Sequence, residues 1–170
     1  KAQITVYDAH PCDGPWFGDG DVAVIDTPGM YRPSNGVAYQ TDTLPNDGGV
    51  GVAEFDFFYG IPGDQVFWGD WDGDGADSLG ISRGGKIYLA NTNATVVADV
   101  EFWFGLPTDV AFGADTDGDG EDSVIVYRQS NSFAYYTNDT SLGLAPTDGE
   151  LFFGIPGDKF TIGDWDADLG

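Results

Sequence analysis

Short apolar segments alternate along this chain with clusters of Gly, Pro, Asp and Asn. Glu54–Tyr59, Gln65–Trp68, Ser78–Ser82 and Lys86–Ala90 are typical. Their length, aromatic and β-branched content and flanking turn residues predict β-strands. Ala/Leu/Glu/Lys runs with a 3.6-residue period are absent, so almost no helix is expected. No stretch approaches the roughly 18 apolar residues of a membrane span, and none is expected to insert in a bilayer. The chain opens at Lys1 on the strand-like Ile4–Tyr7, not on a signal peptide. The visible segment therefore reads as soluble, with any export signal removed or outside it.

The pattern repeats. Ile61-Pro62-Gly63-Asp64 recurs as Leu106-Pro107-Thr108-Asp109 and Ile155-Pro156-Gly157-Asp158, with a weaker copy at His10-Pro11-Cys12-Asp13. The prolines Pro11, Pro62, Pro107 and Pro156 are 51, 45 and 49 residues apart. Six residues after the repeated aspartates stand Asp19, Asp70, Asp115 and Asp164, and further on come Arg32, Arg83 and Arg128, the chain's three arginines. Four short strands in about 45 residues are the mark of a β-propeller blade. The expected fold is all-β, with tandem four-stranded blade-like repeats in an open or partial propeller-like array. The units run approximately over 1–51, 52–98 and 99–147, with an incomplete fourth at 148–170. Thr41–Gly51 and Asn138–Gly149 read as surface connections within a single repeat domain. An unclosed stack exposes strand edges and apolar faces. Lys1–Asp8 and Phe160–Gly170 are therefore expected to contact another copy or further repeats of the same chain, as a fragment of a larger propeller or as a filament subunit.

Between predicted strands, Asp70, Asp72, Asp74 and Asp77 occupy loop positions 1, 3, 5 and 8 with Gly75 at position 6, and Asp115, Asp117, Asp119, Gly120 and Asp122 repeat the placement. Alternate short carboxylates converging on one centre, a glycine for the turn and a backbone carbonyl near position 7 (Ala76, Glu121) make an all-oxygen shell suited to calcium. Magnesium prefers to keep waters, and zinc would want His or Cys. An EF-hand is disfavoured because helices do not flank the loop and position 12 is Ile81 or Val126 where a Glu is needed. The first loop keeps Asp19, Asp21 and Asp26 but has Ala23 and Val24 at its centre, so metal there is expected to be weak or absent. The fourth begins with Asp164, Asp166 and Asp168 but places Leu169 at the glycine position.

Phe-Tyr-Gly-Ile-Pro-Gly-Asp, then Gly-Asp-Trp-Asp-Gly-Asp-Gly-x-Asp, then an apolar strand ending in Arg, resembles the FG-GAP/VCBS-type calcium-binding repeat, related to the integrin α-chain propeller. The resemblance covers nearly the whole chain and is most specific in the second and third units. It implies a propeller-like array, calcium-stabilised loops, an extracellular or cell-surface setting and an adhesive or scaffolding role. The chain departs from the pattern in its damaged first loop, in Ala114 for the usual Gly, and in Ser78 and Ser123 at position 9, where relatives often carry a further acid. Asp77 and Asp122 are left to complete the shell directly or through water.

Composition sharpens this. The chain has 170 residues, enough for one domain, and of its 29 acidic residues only 4 are Glu. That excess of Asp is what turns and oxygen-ligand loops favour. A net charge of −23 repels phosphate backbones and anionic lipids, which disfavours nucleic-acid and membrane-surface binding. Hydrophobic residues at 41% and aromatics at 15% argue against disorder. Cys12 is the one cysteine and reads as a small packed residue.

The clusters Phe57-Phe58-Tyr59, Phe102-Trp103-Phe104 and Phe152-Phe153 sit at equivalent strand positions and read as inter-sheet core, or alternatively as stacking platforms for sugars. The arginines read as bridges to an acidic loop or neighbouring unit, or as anion ligands. Asn93-Ala94-Thr95 and Asn138-Asp139-Thr140 are glycosylation acceptor sequons at Asn93 and Asn138. His10 is the only histidine and, with Cys12, lacks an orienting partner, so no enzymatic activity is expected. The sequence therefore points to a non-enzymatic, extracellular, calcium-stabilised scaffold, with a carbohydrate-binding lectin as the alternative.

Overall fold

The computed structural model describes residues 3–5 (backbone only), 28–41, 43, 49–141 and 143–163. Among these, every regular element is a strand, and none is a helix long and apolar enough to cross a membrane. The first sheet runs β1 (Gln3–Thr5), β2 (Gly29–Arg32), β3 (Val37–Gln40), β4 (Phe55–Phe58) as an antiparallel meander. The second runs β5 (Gln65–Gly69), β6 (Ser78–Arg83), β7 (Lys86–Leu89), β8 (Val100–Trp103) in the same way. The third comprises β9 (Val110–Ala114), β10 (Ser123–Arg128), β11 (Phe133–Thr137) and, on its outer side, β13 (Gly149–Phe152). Between β11 and β13 the chain crosses back to the second sheet, where β12 (Gly143–Leu144) lies parallel to β8, with Gly143 opposite Phe102 and Leu144 opposite Trp103.

Individual strands fall where the sequence places them, but their grouping differs. Phe55–Phe58 pairs with β3 and closes the first sheet, whereas the sequence reading groups it with the three strands that follow. The first strand of the first sheet, at its edge, is Gln3–Thr5, paired to β2 with Gln3 opposite Tyr31 and Thr5 opposite Gly29. The internal alignment on Asp13 gives that place to residues 14–18, which lie outside the described residues together with His10 and Cys12. Of the strand-like Ile4–Tyr7, Ile4 and Thr5 lie in β1 and pair with the later strand β2, and residues 6–7 lie outside the described residues.

Local chemistry explains the turns. Gly84 and Gly85 both have positive φ (63° and 88°), the conformation a two-residue hairpin between β6 and β7 demands and β-carbons resist. The second and third sheets are entered through the Pro turn, and another copy of it follows β13. Asp64 accepts the Ile61 amide at 2.7 Å, Asp109 the Leu106 amide at 2.9 Å and Asp158 the Ile155 amide at 3.0 Å. In the second and third sheets this aspartate is also gripped by the arginine that ends the second strand, Arg83 on Asp64 (2.7 and 2.6 Å) and Arg128 on Asp109 (3.0 and 2.8 Å). The arginines therefore clamp the turn that joins one sheet to the next, and do not bridge the acidic loops. Both carboxylates are almost fully buried, at 2% and 1% exposure, and hydrogen bonding to Asp64 holds the Arg83 guanidinium above its usual pKa.

The sheets stack face to face. Tyr31, Ala38 and Phe57 of the first meet Trp68, Leu79 and Ile81 of the second. Phe67, Ile87, Leu89 and Phe102 on the second sheet's other face meet Ala111, Val124 and Val126 of the third. The third sheet's far face, Ile125, Tyr127 and Ala134, is covered in part by Phe160 and Ile162. Fully burying side chains such as Phe67 and Phe102 contributes about 1.5–3 kcal/mol each. Two aromatic clusters split by strand alternation, with Phe57, Tyr59, Phe102 and Phe104 buried and Phe58 and Trp103 exposed, whereas Phe152 and Phe153 are both exposed, against the inter-sheet core read for them.

Candidate metal centre

The two central acidic loops both leave the first strand of a sheet and enter its second, Asp70–Asp77 between β5 and β6 and Asp115–Asp122 between β9 and β10. In each, the first aspartate organises the backbone. Asp70 accepts the Asp74 amide at 3.1 Å and the Gly75 amide at 2.7 Å. Asp115 accepts the amides of Asp117 (3.2 Å), Gly118 (2.7 Å) and Gly120 (3.1 Å). The fifth residue then turns the chain back, Asp74 accepting Ala76 N–H and Asp119 accepting Glu121 N–H, both at 2.9 Å. Gly75 and Gly120 at position 6 have φ of 86° and 91°, which is why glycine stands there.

The result is convergence. One carboxylate oxygen from each of Asp70, Asp72 and Asp74 lies within 4.8 Å of the others, and the same holds for Asp115, Asp117 and Asp119. Asp70 and Asp115 are half-buried at the base, and the other four are exposed. Three anionic oxygens with no His or Cys among them form a hard donor set, which fits calcium and not zinc.

The position 8 aspartates behave differently. Asp122 turns to the neighbouring loop, its carboxylate accepting the Asp70 amide at 3.0 Å while its own amide donates to Asp70 O at 2.6 Å. The two loops are thus tied directly, across the boundary between the second and third sheets. Asp77 presents its backbone carbonyl to Asn93 Nδ2 at 2.8 Å. Ala76 and Glu121 at position 7 are exposed, and their amides serve the aspartate two residues earlier. Ser78 is buried and donates to Ala90 O at 2.5 Å, binding the sheet and not the loop centre.

Sequence reasoning misses the brace around the third sheet's loop. Asn138 Oδ1 accepts Thr116 Oγ1 at 2.9 Å and Ser123 Oγ at 2.7 Å, and its Nδ2 donates to the Asp117 carboxylate. Asn93 and Asn138, singled out as sequons, both stand 23 residues after the first aspartate of their loops and both reach back to them. That equal spacing is the signal that could have found them. Trp71, second in its loop, is buried between the sheets edge-on to Phe67 at 5.3 Å, which makes it core and not a sugar platform. Asp19, Asp21 and Asp26 of the first loop and Asp164, Asp166 and Asp168 of the fourth lie outside the described residues.

Comparison with family models, with curated proteins and with solved structures returns no match.

Proposed function

We propose that this chain is a non-enzymatic, extracellular scaffold of FG-GAP/VCBS-type repeats, in which calcium fixes the stacking of propeller-like, four-stranded blades. The observation that carries the reading is the recurrence of one carboxylate triad, at the same point of two successive antiparallel sheets, with Asp122 joining the two loops. Asp70, Asp72 and Asp74 would hold one ion, and Asp115, Asp117 and Asp119 another. Calcium supplies positive charge to groups that otherwise repel, and the chain's own contribution is to hold those groups on rigid strand ends. An ion that binds only the folded chain adds about 2.7 kcal/mol per site at a hundredfold excess over its Kd. Chelation with verified removal of calcium is expected to lower the melting temperature, and calcium titration by calorimetry is expected to fill two sites. An unchanged melting curve after removal overturns the reading.

A lectin of the same fold is supported by one feature. Trp103 is 51% exposed and borders an open cleft of about 420 Å³ lined by Lys86, Asp99, Glu101 and Gly143. Glycan-array binding abolished by Trp103→Ala and kept in Phe58→Ala would favour it over the scaffold.

A further inference from the structure

Strand alternation sets Lys86 and Tyr88 on one face of β7, and the register places Trp103 opposite Lys86 and Glu101 opposite Tyr88 on β8. Their neighbours Ile87, Leu89 and Phe102 point the other way, into the core shared with the third sheet. An open cleft of about 420 Å³ is lined by Lys86, Asp99, Glu101 and Trp103, with Gly143 of β12 adding a stretch of wall that has no side chain. The corresponding cross-strand pairs are apolar. Val37 stands opposite Phe58 in the first sheet, and Phe133 opposite Phe152 in the third, where the two rings lie 5.3 Å apart. Among the described residues, only the second sheet sets a lysine beside the ring.

The charges in the cleft are uneven. Lys86 Nζ lies 2.6 Å from Glu101 and 4.9 Å over the Tyr88 ring, so these two charges balance each other. Asp99 is held in place by the Asn91 amide, which donates to its Oδ2 at 2.9 Å, and by its own amide, which donates to Leu89 O at 2.8 Å. No cation meets its carboxylate among the described residues. Trp103, 51% exposed, presents an open aromatic face nearby. Elsewhere the chain itself shows what an aromatic ring with a fixed carboxylate holds. Arg83 lies 5.0 Å over Tyr88 and forks onto Asp64, and Arg128 lies 4.6 Å over Tyr135 and forks onto Asp109. Arg32, the third arginine, lies 4.5 Å over Tyr39. All three are engaged outside the cleft.

We propose that this cleft is the docking site for an arginine side chain of a basic partner protein, with the guanidinium stacked on Trp103 and paired with Asp99. A planar guanidinium matches both groups at once, and tryptophan offers a cation the best of the aromatic faces. Lys86 and Glu101 form a balanced polar rim. A chain of net charge −23 attracts basic partners and repels acidic ones, so the long-range field agrees with the local chemistry. The inference needs no metal, goes beyond the scaffold reading and gives the cleft an occupant other than a sugar.

The test is calorimetric titration of the full chain with a short arginine homopeptide and with its citrulline counterpart, whose side chains keep the shape but lose the charge. Salt at about 0.15 M screens exposed charges beyond roughly 8 Å, and added calcium competes for the acidic loops. The arginine peptide is expected to bind and the citrulline peptide to fail. Trp103→Ala and Asp99→Asn should each weaken binding by at least about tenfold, and Trp103→Phe should recover part of the loss. Asn at 99 can still accept the Asn91 amide, which preserves the local fold. Phe58→Ala, at the corresponding exposed ring of the first sheet, should leave binding unchanged. If Asp99→Asn lowers the melting temperature, the exposed Trp103 decides the matter alone. Absence of binding, or binding indifferent to Trp103→Ala, overturns the proposal. So does a glycan that needs Trp103 and is not displaced by the arginine peptide, because it assigns the cleft to a sugar. Calcium-dependent melting would survive each of these results, so the scaffold reading fails separately.

Discussion

Asp72 and Asp117 are third in their loops and exposed, each sharing its charge with two neighbouring carboxylates, and Asp117 also accepts Asn138 Nδ2. Asp72→Ala and Asp117→Ala are each expected to cost more calcium affinity than the roughly tenfold that losing an outer-shell partner costs, and to destabilise only in the presence of calcium. Asp21→Ala, in the first loop, should change little. Calorimetric titration and melting of the three variants check the ranking, and equal losses at all three would refute it. A second expectation concerns Tyr59, whose hydroxyl is buried with no hydrogen-bond partner among the described residues. Burial first, then the nearby charges of Asp99 and Glu101, push its pKa well above 10. The folded chain thus keeps this proton at a pH where the unfolded chain has lost it. Stability should fall above about pH 10, by up to about 1.4 kcal/mol per pH unit for one such group. Tyr59→Phe should flatten that fall at little cost near neutrality, as denaturant melts from pH 8 to 11 will show. At this scale the sequence is legible where chemistry is local. The aspartates of one loop are two residues apart and their convergence follows from spacing, whereas the turn of Asp122 to Asp70 and of Asn138 to Asp117 depends on chain segments brought together by folding.

For the strands, alternation and turn residues locate β5, β6 and β7 to within a residue or so of their observed limits. The partner of each is harder to read. Phe55–Phe58 lies between two turns, and nothing in its own pattern says whether it joins the strands before or after it; the clamp of Arg83 on Asp64 shows that the Pro turn is the boundary. Gly143–Leu144 carries too few residues for a period, so a stretch read as a surface connection also contains a strand. Glycines mark where two sheets come closest. A β-carbon at Gly113 would lie 2.3 Å from Trp68 O and 2.7 Å from the Trp71 ring, and backbone cannot retreat as a flexible side chain can. Gly113→Ala is therefore expected to destabilise by about 3 kcal/mol. Gly51→Ala, with nothing within 4 Å, should stay within about 0.5 kcal/mol of the parent. Chemical denaturation of the pair decides whether the close approach of β5 and β9 limits the sequence there.

Across the whole molecule, three sheets share two continuous cores, and each boundary is held by apolar packing, an Asp–Arg clamp and, between the second and third, the linked acidic loops. The all-β character is legible from turn chemistry and the missing helical period. The stacking order follows from repetition, because every unit carries the same faces. The path of β12 is not legible, and it has a mechanical meaning. By pairing with β8 it closes residues 104–142 into a loop, so tension applied through the chain ends passes from β8 to β12 and bypasses the strands between. The two strands are parallel, and the pull draws them in opposite directions along their axes, loading their hydrogen bonds together and not one by one. Single-molecule stretching should show this clasp as a distinct rupture that releases on the order of 130 Å of chain, at about 3.4 Å per residue, and Leu144→Pro should remove the event. A chain that yields in one measured step and then refolds behind the break would dissipate sudden load while the Asp70–Asp77 loop, outside the released segment, stays intact.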